Sequence, residues 1–140
     1  LSFLKQTANI DAGATYTTDY SKKATNVVAS GEWRINFDVG RATIRPEGKD
    51  VLEQIYNLLI QAEDSKLELV GHTDNSGTQE GNYSLSTARG EAVKNYLIQK
   101  GIPATRFQKV DGKGQDEPIA DNSTPAGKAQ NRRVVISLLK

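Results

Sequence analysis

Asp74 and Arg89 are the charged residues whose setting is most typical of a binding site. Asp74 lies in a polar loop, residues 71–77, that follows the apolar stretch 67–70, and Arg89 comes 15 positions later. A loop between a strand and a helix can aim several polar groups at one ligand. A carboxylate accepts hydrogen bonds from an ammonium, and a guanidinium presents a planar fork to a carboxylate. The pair therefore suits a ligand that carries both groups, although each residue could also be a surface charge or pair only with the other.

Residue types that support catalysis are scarce. The chain has one histidine, His72, and no cysteine, so neither a zinc cluster nor a nucleophile with its base can be assembled. We expect His72 to be structural, and we expect no metal, no cofactor and no enzymatic activity. Residues 74–77 lack the ligand spacing of a calcium loop. Residues 112–114 lack the third glycine and the helix of a nucleotide-binding turn.

Composition indicates one soluble domain. Hydrophobic residues make up 36% and charged residues 25% of the 140, ordinary values for a globular chain. The net charge of +1 gives no electrostatic reason to expect a nucleic-acid partner. No apolar run approaches the roughly 20 residues of a membrane-spanning helix. Because the chain starts at Leu1 without a signal-peptide pattern, we interpret it as part of a longer protein, with any membrane anchor upstream.

Hydrophobic periodicity predicts the elements that position these side chains. A helix is predicted from Pro46 with an apolar stripe that ends at Ala62, and a second one from Ser86 to Lys100. The last strand is apolar enough to be central in a sheet. Strands are predicted at 32–37, 67–70, 106–110 and 134–138, and a polar loop at 111–127. The order β-α-β-α-β-β predicts an α+β fold, an α/β sandwich whose mixed sheet carries its helices on one face.

Residues 1–31 are predicted to be an extension or linker from an upstream region. A helix is expected there from Thr18 to about Gly31. Residues 32–140 are predicted to form the domain itself.

Three separated motifs resemble the OmpA-like peptidoglycan-binding domain. They read Gly-His-Thr-Asp-Asn at 71–75, Asn-Tyr-Ser-Leu-Ser-Thr-Ala-Arg at 82–89 and Asn-Arg-Arg at 131–133. The resemblance extends from about Trp33 to Leu138. This family includes the C-terminal domain of OmpA, the peptidoglycan-associated lipoprotein and MotB. It implies the OmpA-like form of the predicted fold and a role in binding peptidoglycan.

The resemblance also implies roles for individual residues. Asp74 and Arg89 would hold the zwitterionic end of meso-diaminopimelate, the cross-linking residue of the stem peptide. Arg89, predicted in the first turn of its helix, would bring the ligand carboxylate near the positive end of the helix dipole. We expect Asp74→Ala and Arg89→Ala to abolish most binding and to leave the fold intact. The other residues assigned to the site are Asp38, Asn82, Arg132, Leu85, Thr73 and Ser76.

Several of these roles stay open at this point. Asp38 either caps a turn or lines the pocket, and Asn82 either bonds the ligand or holds the loop. Leu85 would form an apolar wall. Adjacent residues of an extended chain point to opposite faces, so only one of Arg132 and Arg133 can reach the pocket. The resemblance implies that it is Arg132. Lys128 stands where the family usually has arginine.

The chain is therefore expected to be a non-enzymatic periplasmic module of a Gram-negative bacterium, associated with the outer membrane. It would tether an upstream element to the cell wall. The alternatives are the wall-anchoring domain of a MotB-like motor stator, a peptidoglycan hydrolase, and a domain that keeps the fold without the ligand. The oligomeric state is left open.

Overall fold

A four-stranded mixed sheet organises the structure, a computed structural model that describes residues 31–139. The strands are β1 (Gly31–Asn36), β2 (Lys66–His72), β3 (Phe107–Gly112) and β4 (Arg133–Leu139). The helices are α1 (Pro46–Gln61), α2 (Gln79–Gln99) and α3 (Pro125–Asn131), with a 3-10 turn at Ala104–Arg106. The predicted α+β fold is confirmed. The helix expected within residues 18–31 falls on residues 1–30, which lie outside the described part. No helix of the described part is long and apolar enough to cross a membrane.

The strand order is β1-β4-β2-β3, so β4 is central, as its apolar sequence predicts. β4 runs antiparallel to β1 and β2, whereas β2 and β3 are parallel. Ile136 of β4 lies between Trp33 and Leu69. At the other end of β4, Arg133 lies between Asn36 and His72. The chain segments that follow β1 and β2 and precede β4 therefore meet at the same end of the sheet, where these strands begin or finish.

The core lies between the sheet and the helices. Along β4, Val134, Ile136 and Leu138 are buried, and the residues between them face the other side. The apolar stripe predicted for α1 is buried against this face, and Val93 and Leu97 do the same for α2. Each such side chain contributes about 1.5–3 kcal/mol when it leaves water.

Helix α2 begins at Gln79, seven residues before Ser86, so the predicted start of this helix is wrong. Thr78 is its N-cap, and the Thr78 hydroxyl accepts a hydrogen bond from the Gly81 N–H at 2.9 Å. The first turns of α2 bury the polar Asn82 rather than an apolar side chain, so periodicity gave no signal there. Arg89 consequently lies in the third turn of α2, and the predicted proximity to the positive end of the helix dipole is also wrong.

Helix α3 begins inside the stretch 111–127, which was predicted to be a loop, and extends beyond it to Asn131. Thr124 caps it by accepting from the Gly127 N–H at 3.0 Å, and Pro125 occupies its first turn. A threonine followed by proline is a typical helix start, so the sequence did contain this signal. The helix ends at Asn131, directly before Arg132, and so fixes where the last motif enters the sheet.

Candidate functional site

Arg132 joins two of the segments that meet at this end of the sheet. Its Nη1 lies 3.2 Å from Asp74 Oδ2, and its Nε donates to the Phe37 carbonyl at 2.9 Å. The loop after β1 and the loop after β2 are thereby held against the start of β4. Arg133 points to the opposite face of the sheet. The structure therefore brings Arg132, and not Arg133, to Asp74.

The Asp74 carboxylate is only 4% exposed and is hydrogen-bonded at both oxygens. Oδ1 accepts from the Ser76 backbone N–H at 2.9 Å, and Oδ2 pairs with Arg132. Burial alone would raise the pKa of this carboxyl. The Ser76 N–H, the Arg132 guanidinium and the Ser76 hydroxyl outweigh burial, so the pKa lies below its usual value. Asp74 is therefore ionised at neutral pH and can accept a cation.

Arg89 lies behind this pair and is fully buried, with 0% exposure. Each of its three nitrogen atoms donates to a backbone carbonyl, and its guanidinium lies over a phenylalanine ring. The acceptors are the carbonyl oxygens of Arg41 (Nε, 2.8 Å), His72 (Nη1, 2.8 Å) and Asp38 (Nη2, 3.0 Å). Burial, followed by the charge of Arg132, lowers the pKa of Arg89 to about 10, although Asp74 opposes this. Arg89 therefore remains a cation and ties the loop after β1 to the end of β2.

Thr73 and Asn82 hold the Asp74 loop. Both donate to the Asp74 carbonyl, Thr73 through Oγ1 at 2.7 Å and Asn82 through Nδ2 at 3.4 Å. Asn82 Nδ2 also donates to Gln115 Oε1 at 2.7 Å. Of the two roles that the resemblance implied for Asn82, these contacts correspond to loop support.

An open cleft of about 390 Å³ lies in front of Asp74 and Arg132. Lys128 of α3 reaches across its edge and donates to Asn75 Oδ1 at 3.0 Å and Ser76 Oγ at 3.1 Å. The cleft thus holds one carboxylate and two cations. Its lining consists of Val39, Asp74, Ser76, Ser123, Thr124, Pro125, Lys128 and Arg132. In residues 31–139, no cluster of three or more histidine or acidic side chains could hold a metal ion.

The structure places five predicted site residues outside this lining: Asp38, Thr73, Asn82, Leu85 and Arg89. The Asp38 carboxylate lies 3.5 Å from Arg45 Nη1, and it is the Asp38 carbonyl that contacts Arg89. Leu85 is half-buried on α2. The sequence interpretation missed Val39 and the start of α3 as cleft residues; the Thr-Pro signal of α3 would have identified the latter.

Asn131 fixes the approach to Arg132 and is fully buried. Its Oδ1 accepts from the backbone N–H groups of Ile119 and Ala120 at 2.7 and 3.0 Å. Its Nδ2 donates to the Ala120 carbonyl and to Asn122 Oδ1. The first residue of the Asn-Arg-Arg motif therefore packs the preceding loop against α3, while the second reaches Asp74.

His72 at the end of β2 is buried, and its pKa is lowered to about 4. Burial is the main cause, followed by the charges of Arg133 and Lys113, which outweigh the opposing effect of Asp111. The imidazole is therefore neutral at physiological pH. In the unfolded chain His72 has its ordinary pKa of 6.5 and is protonated below that pH. In the folded chain it is protonated only near pH 4.

We expect this difference to make folding stability fall as the pH drops from about 6.5 to about 4. In that range the unfolded state binds more protons, which favours unfolding. His72→Gln should remove about 1–3 kcal/mol of this pH dependence, while the contribution of the carboxylates stays common to both proteins. Urea unfolding of both proteins across the range measures it. Parallel stability curves for wild type and variant would contradict the assignment.

Comparison with known proteins gives a consistent group of relatives. The sequence profile described as the OmpA family matches residues 36–132. The chain is 40% identical over 103 residues to outer membrane protein A of Bordetella avium, which covers 74% of this chain and 53% of that protein. It is 35% identical over 115 residues to the peptidoglycan-binding protein ArfA of Mycobacterium tuberculosis, which covers 82% of this chain and 34% of that protein. The chain therefore spans about half of the first relative and a third of the second.

A solved structure shows the same fold. The peptidoglycan-associated lipoprotein from Burkholderia pseudomallei superposes with a TM-score of 0.71 at 27% sequence identity. The match covers 75% of this chain and 88% of that one. The fold is thus shared with a peptidoglycan-associated lipoprotein.

Proposed function

This chain belongs to the OmpA family, and on that premise we propose that it binds peptidoglycan non-covalently, without catalysing a reaction on it. The group recognised is the meso-diaminopimelate of a stem peptide. The observation that carries the proposal is the ionised Asp74 beside Arg132 in an open cleft, with Lys128 as a second cation.

Asp74 would bind the ammonium at the distal end of diaminopimelate. That ammonium replaces Arg132 as the partner of the carboxylate, and the ligand carboxylate then accepts from the released Arg132 guanidinium. Arg89 attracts the same carboxylate from behind, since its charge is buried where solvent screens it weakly. Lys128 offers a further positive charge at the edge of the cleft.

The remaining residues of the proposed site act through these groups. Asn82 and Thr73 hold the backbone that presents Asp74, and the Ser76 N–H helps to keep the Asp74 carboxylate ionised. The Asp38 carbonyl orients Arg89. A rigid site of this kind loses little conformational entropy when a ligand binds.

The biological role proposed is a tether between the cell wall and an element of the envelope. The relatives in Bordetella and Burkholderia are an outer membrane protein and a peptidoglycan-associated lipoprotein. We accordingly place this domain in the periplasm, at the inner side of an outer membrane. The relatives are longer than the stretch that this chain matches, and the tethered element would correspond to their additional part.

Calorimetry with matched muropeptides tests the ligand assignment. We expect free-acid diaminopimelate peptides to bind best and lysine peptides to bind weakly or undetectably. Lysine keeps the ammonium but lacks the distal carboxylate, so the cations of the cleft lose their partner, which costs more than losing an apolar contact. A peptide with amidated diaminopimelate should fall between them. Equal affinity for the lysine peptide would refute recognition of the carboxylate, even if binding to the wall persisted.

A further inference from the structure

The face of the sheet away from the helices carries a second cleft, of about 530 Å³, which shares no lining residue with the cleft at Asp74. We propose that this cleft binds a small oxyanion, a carboxylate or a phosphate group, through Arg133 and His72. Its volume lies in the range of small-molecule sites, about 300–1,000 Å³. The proposal concerns a different surface from the peptidoglycan site and is independent of it.

Arg133 is a buried cation on which the Glu117 charge acts only at a distance, without an ion-pair contact among residues 31–139. Its side chain is 3% exposed, and its Nη1 and Nη2 donate only to the neutral carbonyls of Asn131 (3.2 Å) and Glu117 (3.0 Å). Its buried Nε–H has no acceptor. No carboxylate within residues 31–139 forms an ion pair with Arg133. Buried charges in proteins are normally paired, so this guanidinium indicates a place for an anion.

His72 lies directly opposite Arg133 on the neighbouring strand and faces the same cleft. It is 4% exposed, and its Nδ1 is buried without a hydrogen-bond partner. Both residues line the cleft, and each has a buried nitrogen without a hydrogen-bond partner. An oxyanion could accept from Arg133 Nε and, once His72 is protonated, from its imidazolium.

The surrounding charges favour the same ligand. Among residues 31–139, the lining includes the cations Lys109, Lys113 and Arg133 and the carboxylates Glu32 and Glu117. Lys113 approaches Asp111 and Glu117 only at 3.9 and 4.0 Å, and all three are at least partly exposed. Such long, solvated pairs neutralise little charge. Burial, and after it the charges of Arg133 and Lys113, lower the pKa of His72 against the opposing effect of Asp111, so His72 is neutral in the free protein.

His72 provides a direct probe, because it is the only histidine of the chain and its imidazole gives a single set of NMR signals. The full chain is titrated with inorganic phosphate or acetate at pH 6, with sodium chloride at equal ionic strength as the reference. We expect a saturable shift of the imidazole signals with at least one of the two oxyanions. The same oxyanion should raise the pH midpoint of His72 by about one unit, since it binds the protonated form tenfold more tightly.

Two variants distinguish a built site from general screening. Arg133→Met should remove the saturable response. Because Arg133 also supports two carbonyls, Lys113→Gln provides a second test on a partly exposed residue, and it should weaken the apparent affinity several-fold in a folded protein. Asp74→Ala should leave the response unchanged. The proposal is overturned if phosphate and acetate both shift the imidazole signals no more than chloride does. An unchanged response in folded Arg133→Met or Lys113→Gln would overturn it as well.

Discussion

Asp74→Ala is expected to weaken retention on diaminopimelate-containing sacculi about a hundredfold. In the proposed complex Asp74 is the partner of the ligand ammonium, and removing one member of a desolvated charge pair costs about 2–5 kcal/mol. In the Asp74→Ala variant the cleft also retains only the positive charges of Arg132 and Lys128, which repel the ammonium. Co-sedimentation of the purified protein with sacculi over a range of protein concentrations measures the loss.

The matched control for this variant is Asp64→Ala, which removes the same charge from the exposed turn between α1 and β2. It should bind as the wild type does. Circular dichroism establishes that both variants are folded. Wild-type retention by folded Asp74→Ala would place the ligand elsewhere on the protein. Soluble muropeptides in the supernatant of the wild-type assay would contradict the proposal that the domain is not an enzyme.

Arg89→Ala is expected to destabilise the protein by at least about 3 kcal/mol, in contrast to the intact fold that the sequence interpretation assumed. The substitution leaves three carbonyls without their donors and empties a buried volume beside Phe37. Each buried polar group without a partner costs about 1–3 kcal/mol. Urea unfolding measures the difference, and the melting temperature should fall by roughly 10 °C or more.

The control for Arg89 is Arg41→Ala, because Arg41 is exposed and only its carbonyl, which the substitution retains, contacts Arg89. Its stability should stay within about 0.5 kcal/mol of wild type. If Arg89→Ala were as stable as the wild type and lost only binding, Arg89 would act mainly on the ligand. With the expected destabilisation, loss of binding by Arg89→Ala alone does not demonstrate a ligand contact.

The sequence by itself determined the fold class, the order of the strands and long helices, and the central place of β4. These features depend on local patterns: alternation in β1, the apolar stripe of α1, and the continuous apolar run of β4. Such patterns persist in the structure because each buries one face of an element against the core. The sequence also singled out Asp74 as a candidate site residue, since it follows a buried strand within a distinctive motif.

Only the tertiary structure decided how the charged residues are paired. Arg132 contacts Asp74 across 58 positions and Phe37 across 95, and these contacts depend on the register of β4 between β1 and β2. The polar first turns of α2 had no periodicity, so the depth of Arg89 could not be predicted. Arg89 is fully buried behind the cleft, whereas Arg132 lines the cleft with a side chain that is 18% exposed. A local pattern specifies which face of an element is buried, whereas the partner of a buried charge depends on segments that are distant in the sequence.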